Sequence, residues 1–129
     1  MIVLMHVATG GIAGAASGSR ARAVLLGPLL HAVCDAIPHE DIPSKRFETA
    51  SGVAAVLLLA RRRGIDAATV GAVASAAPDL EHILPFPRPR GRQLFPTHRW
   101  ARPVPFRGVP AWLQLAVAVP AVAALARRS

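Results

Sequence analysis

MIVLMHVATGGIAGAASGS, residues 1–19, contains no acidic or basic side chain apart from His6 and places Gly10, Gly14 and Gly18 four residues apart. In a helix, residues at that spacing lie one above another, so these glycines form a smooth strip that lets a second helix approach closely. Membrane bundles use such strips, and an alanine- and glycine-rich soluble core could use one equally. The stretch lacks the basic n-region of a secretory signal, so a retained first helix is expected rather than a cleaved leader.

Four further apolar stretches follow this first one (about 2–18), at about 21–37, 48–60, 66–84 and 111–126, each bounded by charge, glycine or proline. Alanine and leucine dominate them, and no period-two alternation persists, so all five read as helices. The expected fold is all-α: a compact up-and-down bundle of about five apolar helices in one domain, residues 1–129. Apolar residues make up 53% of the chain and charged residues 17%, which points to lipid contact and a membrane-embedded bundle. Length opposes full spanning, because a perpendicular span takes roughly 20 apolar residues and the uncharged runs 23–34, 49–60 and 67–78 are shorter. A compact bundle beside the membrane remains the other arrangement.

Residues 85–110, PFPRPRGRQLFPTHRWARPVPFRGVP, differ in kind. They hold seven of the twelve prolines and six arginines, interleaved with Phe86, Phe95, Trp100 and Phe106. Proline at this density excludes regular helix, so a long irregular loop is expected before the last helix. The net charge of +8 favours anionic partners: phospholipid headgroups, phosphoesters or nucleic acid. A single cysteine, Cys34, excludes an internal disulfide. No glycine-rich phosphate loop, zinc-finger cysteine pattern or nucleophile elbow occurs.

The chemistry concentrates in HAVCDAIPHED, residues 31–41. His31 and Asp35 are four apart and share one helix face, while Pro38 should end the helix and let His39 turn back toward them. APDLEH repeats the device with Asp79 and His82, His6 opens helix one, and His98 lies in the loop. In an up-and-down bundle, the start of helix one, the close of helices two and four, and the loop all fall at one end. His6, His31, Asp35, His39, Asp79, His82 and His98 are therefore the candidate metal ligands. The other end collects Arg20, Arg22, Arg61, Arg62, Arg63, Arg127 and Arg128.

Imidazole and carboxylate suit zinc first, with manganese or iron as alternatives. Seven candidates exceed one tetrahedral ion, which suggests two or more ions or some outer-shell members. Asp35, Asp79 and Glu81 are the candidate catalytic carboxylates, and Glu40 and Asp41 could orient ligand imidazoles. Arg88, Arg90, Arg92, Arg99 and Arg102 are the candidate substrate-binding residues.

Together, the early His6, HAVCDAIPH, APDLEH and FPTHR resemble a family of small, helical, membrane-bound metal-dependent hydrolases that includes the inner-membrane, LexA-binding hydrolases. His6 matches the early histidine of that pattern, Pro78, Asp79, Glu81 and His82 its central step, and Thr97 and His98 its later element. Two positions depart from it: Glu81 stands where aspartate is usual, and Arg99 replaces a serine while a histidine-arginine pair is missing. The arrangement of ligands is also similar in style to zinc-dependent phospholipase C. The resemblance implies a hydrolase of the bacterial inner membrane.

The expected function is a membrane-associated, metal-dependent hydrolase acting on a phosphoester. The alternatives are a non-catalytic membrane bundle with a structural metal, and a module that binds anionic lipid or nucleic acid.

Overall fold

Three of the helices begin where the sequence supplies a side-chain cap. In the computed structural model, which describes residues 1–82, 84, 87, 91, 92, 94, 95 and 108–127, Ser19 accepts from the backbone N–H of Arg22 and opens α2 (Arg20–Ala36). Ser44 accepts from Phe47 N–H to open α3 (Lys45–Arg63), and Asp66 accepts from Thr69 N–H to open α4 (Ala67–Ala76). Each oxygen satisfies one of the donors that a helix start leaves unpaired. α1 (Val3–Ser17) ends at Gly18 with φ 62°, the left-handed conformation that glycine adopts without Cβ strain. The last helix is α5 (Ala111–Arg127).

The described residues thus form an all-α fold of five helices, with α3 and α4 departing from the boundaries expected from sequence. α3 starts three residues before Glu48, because Ser44 caps it. α4 ends as an α-helix at Ala76 and continues as a 3₁₀ segment, Ala77–His82. Pro78 lacks the N–H that an α-helix would bond to residue 74, and its ring crowds that carbonyl, so the chain tightens.

α1 lies at the centre and packs against all four other helices, while α4 also packs against α2. The glycine strip is where α1 meets α4. A methyl group on Gly10 would collide with the Gly71 carbonyl and Ser75, and one on Gly14 with Ala67. Gly27 of α2 meets Ala74 in the same way. These pairings run α1 antiparallel to α4 and α2 parallel to it, as an up-and-down bundle requires.

The core is small-residue rich: Ile2, Leu4, Val7, Leu59, Val122 and Leu125 fill it between buried alanines. At one end Arg63 bonds Asp66 through Nε at 2.8 Å and the Leu125 carbonyl through Nη1 at 2.9 Å. That clamp ties the α3–α4 turn to the close of α5. At the other end His39 and Val109 form a short parallel bridge, and Gln114, 2% exposed, bonds three backbone groups. Its Oε1 accepts from Ile2 N–H at 3.0 Å, and its Nε2 donates to the carbonyls of Glu40 and Val109 at 2.8 and 3.0 Å.

The outer surface is unusually apolar. Leu25 is 76% exposed, Trp112 68% and Leu29 60%, and Val53, Leu57 and Val117 also face outward. No helix among the described residues is long and apolar enough to cross a membrane. The membrane-embedded arrangement expected from composition therefore finds no spanning helix to carry it.

Candidate metal centre

The bundle end formed by the start of α1, the close of α2 and the 3₁₀ segment holds a cluster of His6, His31, Asp35 and Asp79. Both imidazoles are fully buried, at 0% exposure. Their rings stack with centroids 4.0 Å apart and planes inclined by 26°. Asp35 spans the pair: its Oδ1 lies 3.1 Å from His6 Nε2 and its Oδ2 lies 3.1 Å from His31 Nε2. The i,i+4 relation of His31 and Asp35 on α2 makes the second contact, as expected from sequence. Asp79 stands slightly further off, with its two oxygens 4.0 Å from the two Nε2 atoms.

One backbone carbonyl fixes the chemistry of His31. Its Nδ1 donates to the Ser75 carbonyl at 2.9 Å, so in the neutral ring the lone pair sits on Nε2 and faces the carboxylates. A divalent cation placed between that nitrogen and the carboxylates would be bound by both. His6 is available for the same contact, since neither of its ring nitrogens has a hydrogen-bond partner among the described residues. Burial pushes the His6 pKa below its usual value, against the opposing pull of Asp35, so the ring is driven toward its neutral, ligand-competent form.

Burial works to raise the Asp35 carboxyl, but its contacts with His31, His6 and the Met1 amine outweigh that and hold it well below the usual carboxylate range. The Met1 amine lies 2.8 Å from Asp35 Oδ1.

These distances suit a divalent ion. Two ligands each about 2.0–2.1 Å from a tetrahedral zinc stand roughly 3.3 Å apart, close to the 3.1 Å seen on both sides of Asp35. His6, His31 and Asp79 each offer a ligand atom within 4.8 Å of one another. The Nδ1–H bond of His31 to a carbonyl is the outer-shell contact that orients a metal-bound imidazole. A His–His–Asp group able to hold a metal ion is thus present, with Asp35 against it.

The remaining candidates lie elsewhere. His39 does turn back after the close of α2: its Nδ1 donates to the Ile37 carbonyl at 2.6 Å, and its Nε2 contacts the Met1 amine. It reaches the cluster only through that amine. Asp41, 3.3 Å from His39 Nε2, raises the His39 pKa. His82 is exposed and not part of the converging group. The 3₁₀ rise of about 2.0 Å per residue carries it about 6 Å beyond Asp79 along the axis. Glu81 is buried, and its carboxylate accepts from the N–H groups of Leu94 and Phe95 at 2.5 and 3.0 Å. That holds a piece of the proline-rich stretch to the bundle. Glu40 is exposed and Arg92 is exposed. His98, Arg88, Arg90, Arg99 and Arg102 lie outside the described residues. Cys34 is buried in the core and contacts Thr9.

No family model, curated protein or solved structure matches the chain. The chemistry has to be read from the residues themselves.

Sequence reasoning passed over Gln114 and the Ser75 carbonyl. Glutamine in an apolar helix carries a signal, since a buried amide needs partners. A backbone carbonyl carries none.

Proposed function

We propose that the chain is a membrane-associated, metal-dependent hydrolase acting on a phosphoester. The observation that carries this reading is the pair of stacked, fully buried imidazoles whose Nε2 atoms face the same two carboxylates. Two imidazoles, one of them oriented by the Ser75 carbonyl, beside two carboxylates are a ligand set for zinc, with manganese or iron as lesser fits.

A divalent ion bound there would make a nearby water easier to deprotonate and offset charge on phosphoryl oxygens. His6 and His31 would supply nitrogen ligands, and Asp35 and Asp79 oxygen ligands. The carboxylate side chains are 11% and 14% exposed against 0% for both imidazoles, so water and substrate would have to approach from the carboxylate side. In the hydrolysis, water oxygen bonds to phosphorus, the ester P–O bond breaks, and the alcohol leaves with a proton. The arginines of residues 85–110 supply positive charge for an anionic substrate.

Membrane association is supported by the apolar residues that α2, α3 and α5 turn outward, Leu25, Leu29, Leu57 and Trp112 among them. Contact with the bilayer through these faces does not need a spanning helix.

Complete burial of both imidazoles favours one second reading, a structural metal that staples α1, α2 and α4 without turnover. One assay separates the two. Detergent-purified protein with added zinc or manganese should hydrolyse bis-p-nitrophenyl phosphate, and the His31→Ala/Asp35→Ala double variant should lose roughly 100-fold or more of that rate. Undiminished turnover in the double variant would overturn the hydrolase reading. Metal binding without any turnover would favour the staple.

A further inference from the structure

α3 and α5 pack side by side, and each carries a stripe of residues four apart that ends in an arginine. Ala54, Leu58 and Arg62 form the stripe on α3, and Val119, Ala123 and Arg127 the one on α5. A groove lies between them at the arginine end of the bundle. Its mouth, of about 470 Å³, is bounded by Arg62 and Arg127 together with Leu58, Ala123 and Ala126. A smaller hollow of about 240 Å³ continues from Leu58 and Ala123 to Ala54 and Val119, and every residue lining it is apolar. Eight residues of helix give each stripe a length of about 12 Å.

Arginine in a last helical turn complements the helix dipole, and Arg63 is further tied into the fold by Asp66 and the Leu125 carbonyl. Arg62 and Arg127 differ. Both are exposed, and neither forms an ion pair among the described residues. Asp66, the one acid at this end, is already held by Arg63. Two guanidinium groups at the mouth of an apolar groove match an anion that carries a hydrocarbon chain.

We propose that this groove holds an anionic phospholipid of a bilayer surface. Its phosphate sits between Arg62 and Arg127, and the start of an acyl chain lies along Leu58 and Ala123. The proposal rests on the membrane association inferred above, names its lipid class and is independent of the metal. Guanidinium forks suit phosphate oxygens, and the arginine end then lies in the headgroup layer. A nucleic acid fits less well, because the groove has no aromatic side chain on which a base could stack. A free phosphate would leave the apolar hollow uncovered.

Vesicle flotation tests this. Full-length protein, diluted from detergent below its critical micelle concentration, is mixed with phosphatidylcholine vesicles made with or without phosphatidylglycerol. The wild type should bind the anionic vesicles roughly 10-fold or more tightly than the neutral ones. Arg62→Gln/Arg127→Gln should lower that anionic-to-neutral ratio roughly 10–30-fold, at about fivefold for each arginine. Arg20→Gln/Arg22→Gln makes the same charge change at the same end but outside the groove, and should lower the ratio less than about fivefold. Ala123→Trp fills the groove without changing charge and should lower the ratio severalfold. A wild-type ratio near one would overturn the proposal and leave membrane association standing, whereas no binding to either vesicle would overturn both. Equal losses in the two arginine pairs, or an unchanged ratio in Ala123→Trp, would reduce the effect to diffuse charge and overturn the groove. Release from the vesicles by glycerol phosphate at constant ionic strength would reassign the arginines to a soluble phosphate. Preferential binding of a single-stranded oligonucleotide would reassign them to nucleic acid, and a dimer that Ala123→Trp dissociates would give the groove to a second copy. Each of these three would overturn the proposal.

Discussion

The Nε2 atoms of His6 and His31 lie 3.1 Å from opposite oxygens of the same carboxylate, Asp35, while their rings stack 4.0 Å apart. Stacked imidazoles converging on one acid, with a second acid 4.0 Å from both Nε2 atoms, bring four ligand-type side chains together. The Met1 amine, 2.8 Å from Asp35 Oδ1, shares that acid with the two rings. A metal ion held by these side chains would tie α1, α2 and the 3₁₀ segment together in the folded state.

Metal should therefore stabilise the fold. At a free zinc concentration about 100 times the dissociation constant, linkage adds about 2.7 kcal/mol, which raises Tm by several degrees. Differential scanning fluorimetry with zinc, then with excess chelator, checks this. An unchanged Tm would count against a metal that binds only the folded state.

Asp35 and His82 should separate on metal affinity. Asp35→Asn removes the charge of a carboxylate whose two oxygens lie 3.1 Å from His6 and from His31 and should weaken binding about 10–100-fold. His82→Ala alters an exposed residue outside the converging group and should change affinity less than about threefold. Competition against a zinc-responsive dye measures both. Equal losses would place His82 in the site.

Much of this was legible in the sequence, and particular residues show where legibility stopped. The helices follow from apolar runs punctuated by glycine, proline and charge, and Gly10 and Gly14 do mark the face of α1 that meets α4. His31 and Asp35 converge because four residues make about one helical turn. His6 and Asp79 join them because an even number of helices returns the chain to the same end. The 3₁₀ turn was harder to anticipate. Pro78 announces a change of path, but whether His82 then faces inward depends on the pitch of the turn. Ser44, passed over as a cap, shifted the start of α3 and brought Glu48 inside the fold.

That Glu48 gives a pH dependence. Its carboxyl is buried at 5% exposure, and burial raises its pKa above the usual 4.5, against the pull of Lys45 at 3.5 Å. The folded state then binds this proton more tightly than the unfolded state. Stability contributed by the protonated form is present below about pH 4.5 and is lost as pH rises through the folded pKa. Glu48→Gln keeps the acceptor for Ile42 N–H and removes the charge. Its urea midpoint should exceed that of the wild type at pH 8, with the difference vanishing at pH 4. A variant less stable at pH 8 would contradict this.

Gln114 should be costly to replace. Gln114→Leu is close in size but strands Ile2 N–H and removes the donor to the Glu40 and Val109 carbonyls. A loss of about 2 kcal/mol or more is expected in urea unfolding. A neutral outcome would mean that the segment before α5 is not held to α1 through this amide.

Metal content per chain tests the central claim most directly. Wild-type protein, incubated with zinc and freed of excess by gel filtration, should retain about one or more ions per chain by elemental analysis. The near-isosteric Asp35→Asn/Asp79→Asn variant, shown by circular dichroism to keep its helices, should retain close to none. A wild-type chain that emerges without metal, or a double variant that holds as much as the wild type, would contradict the account.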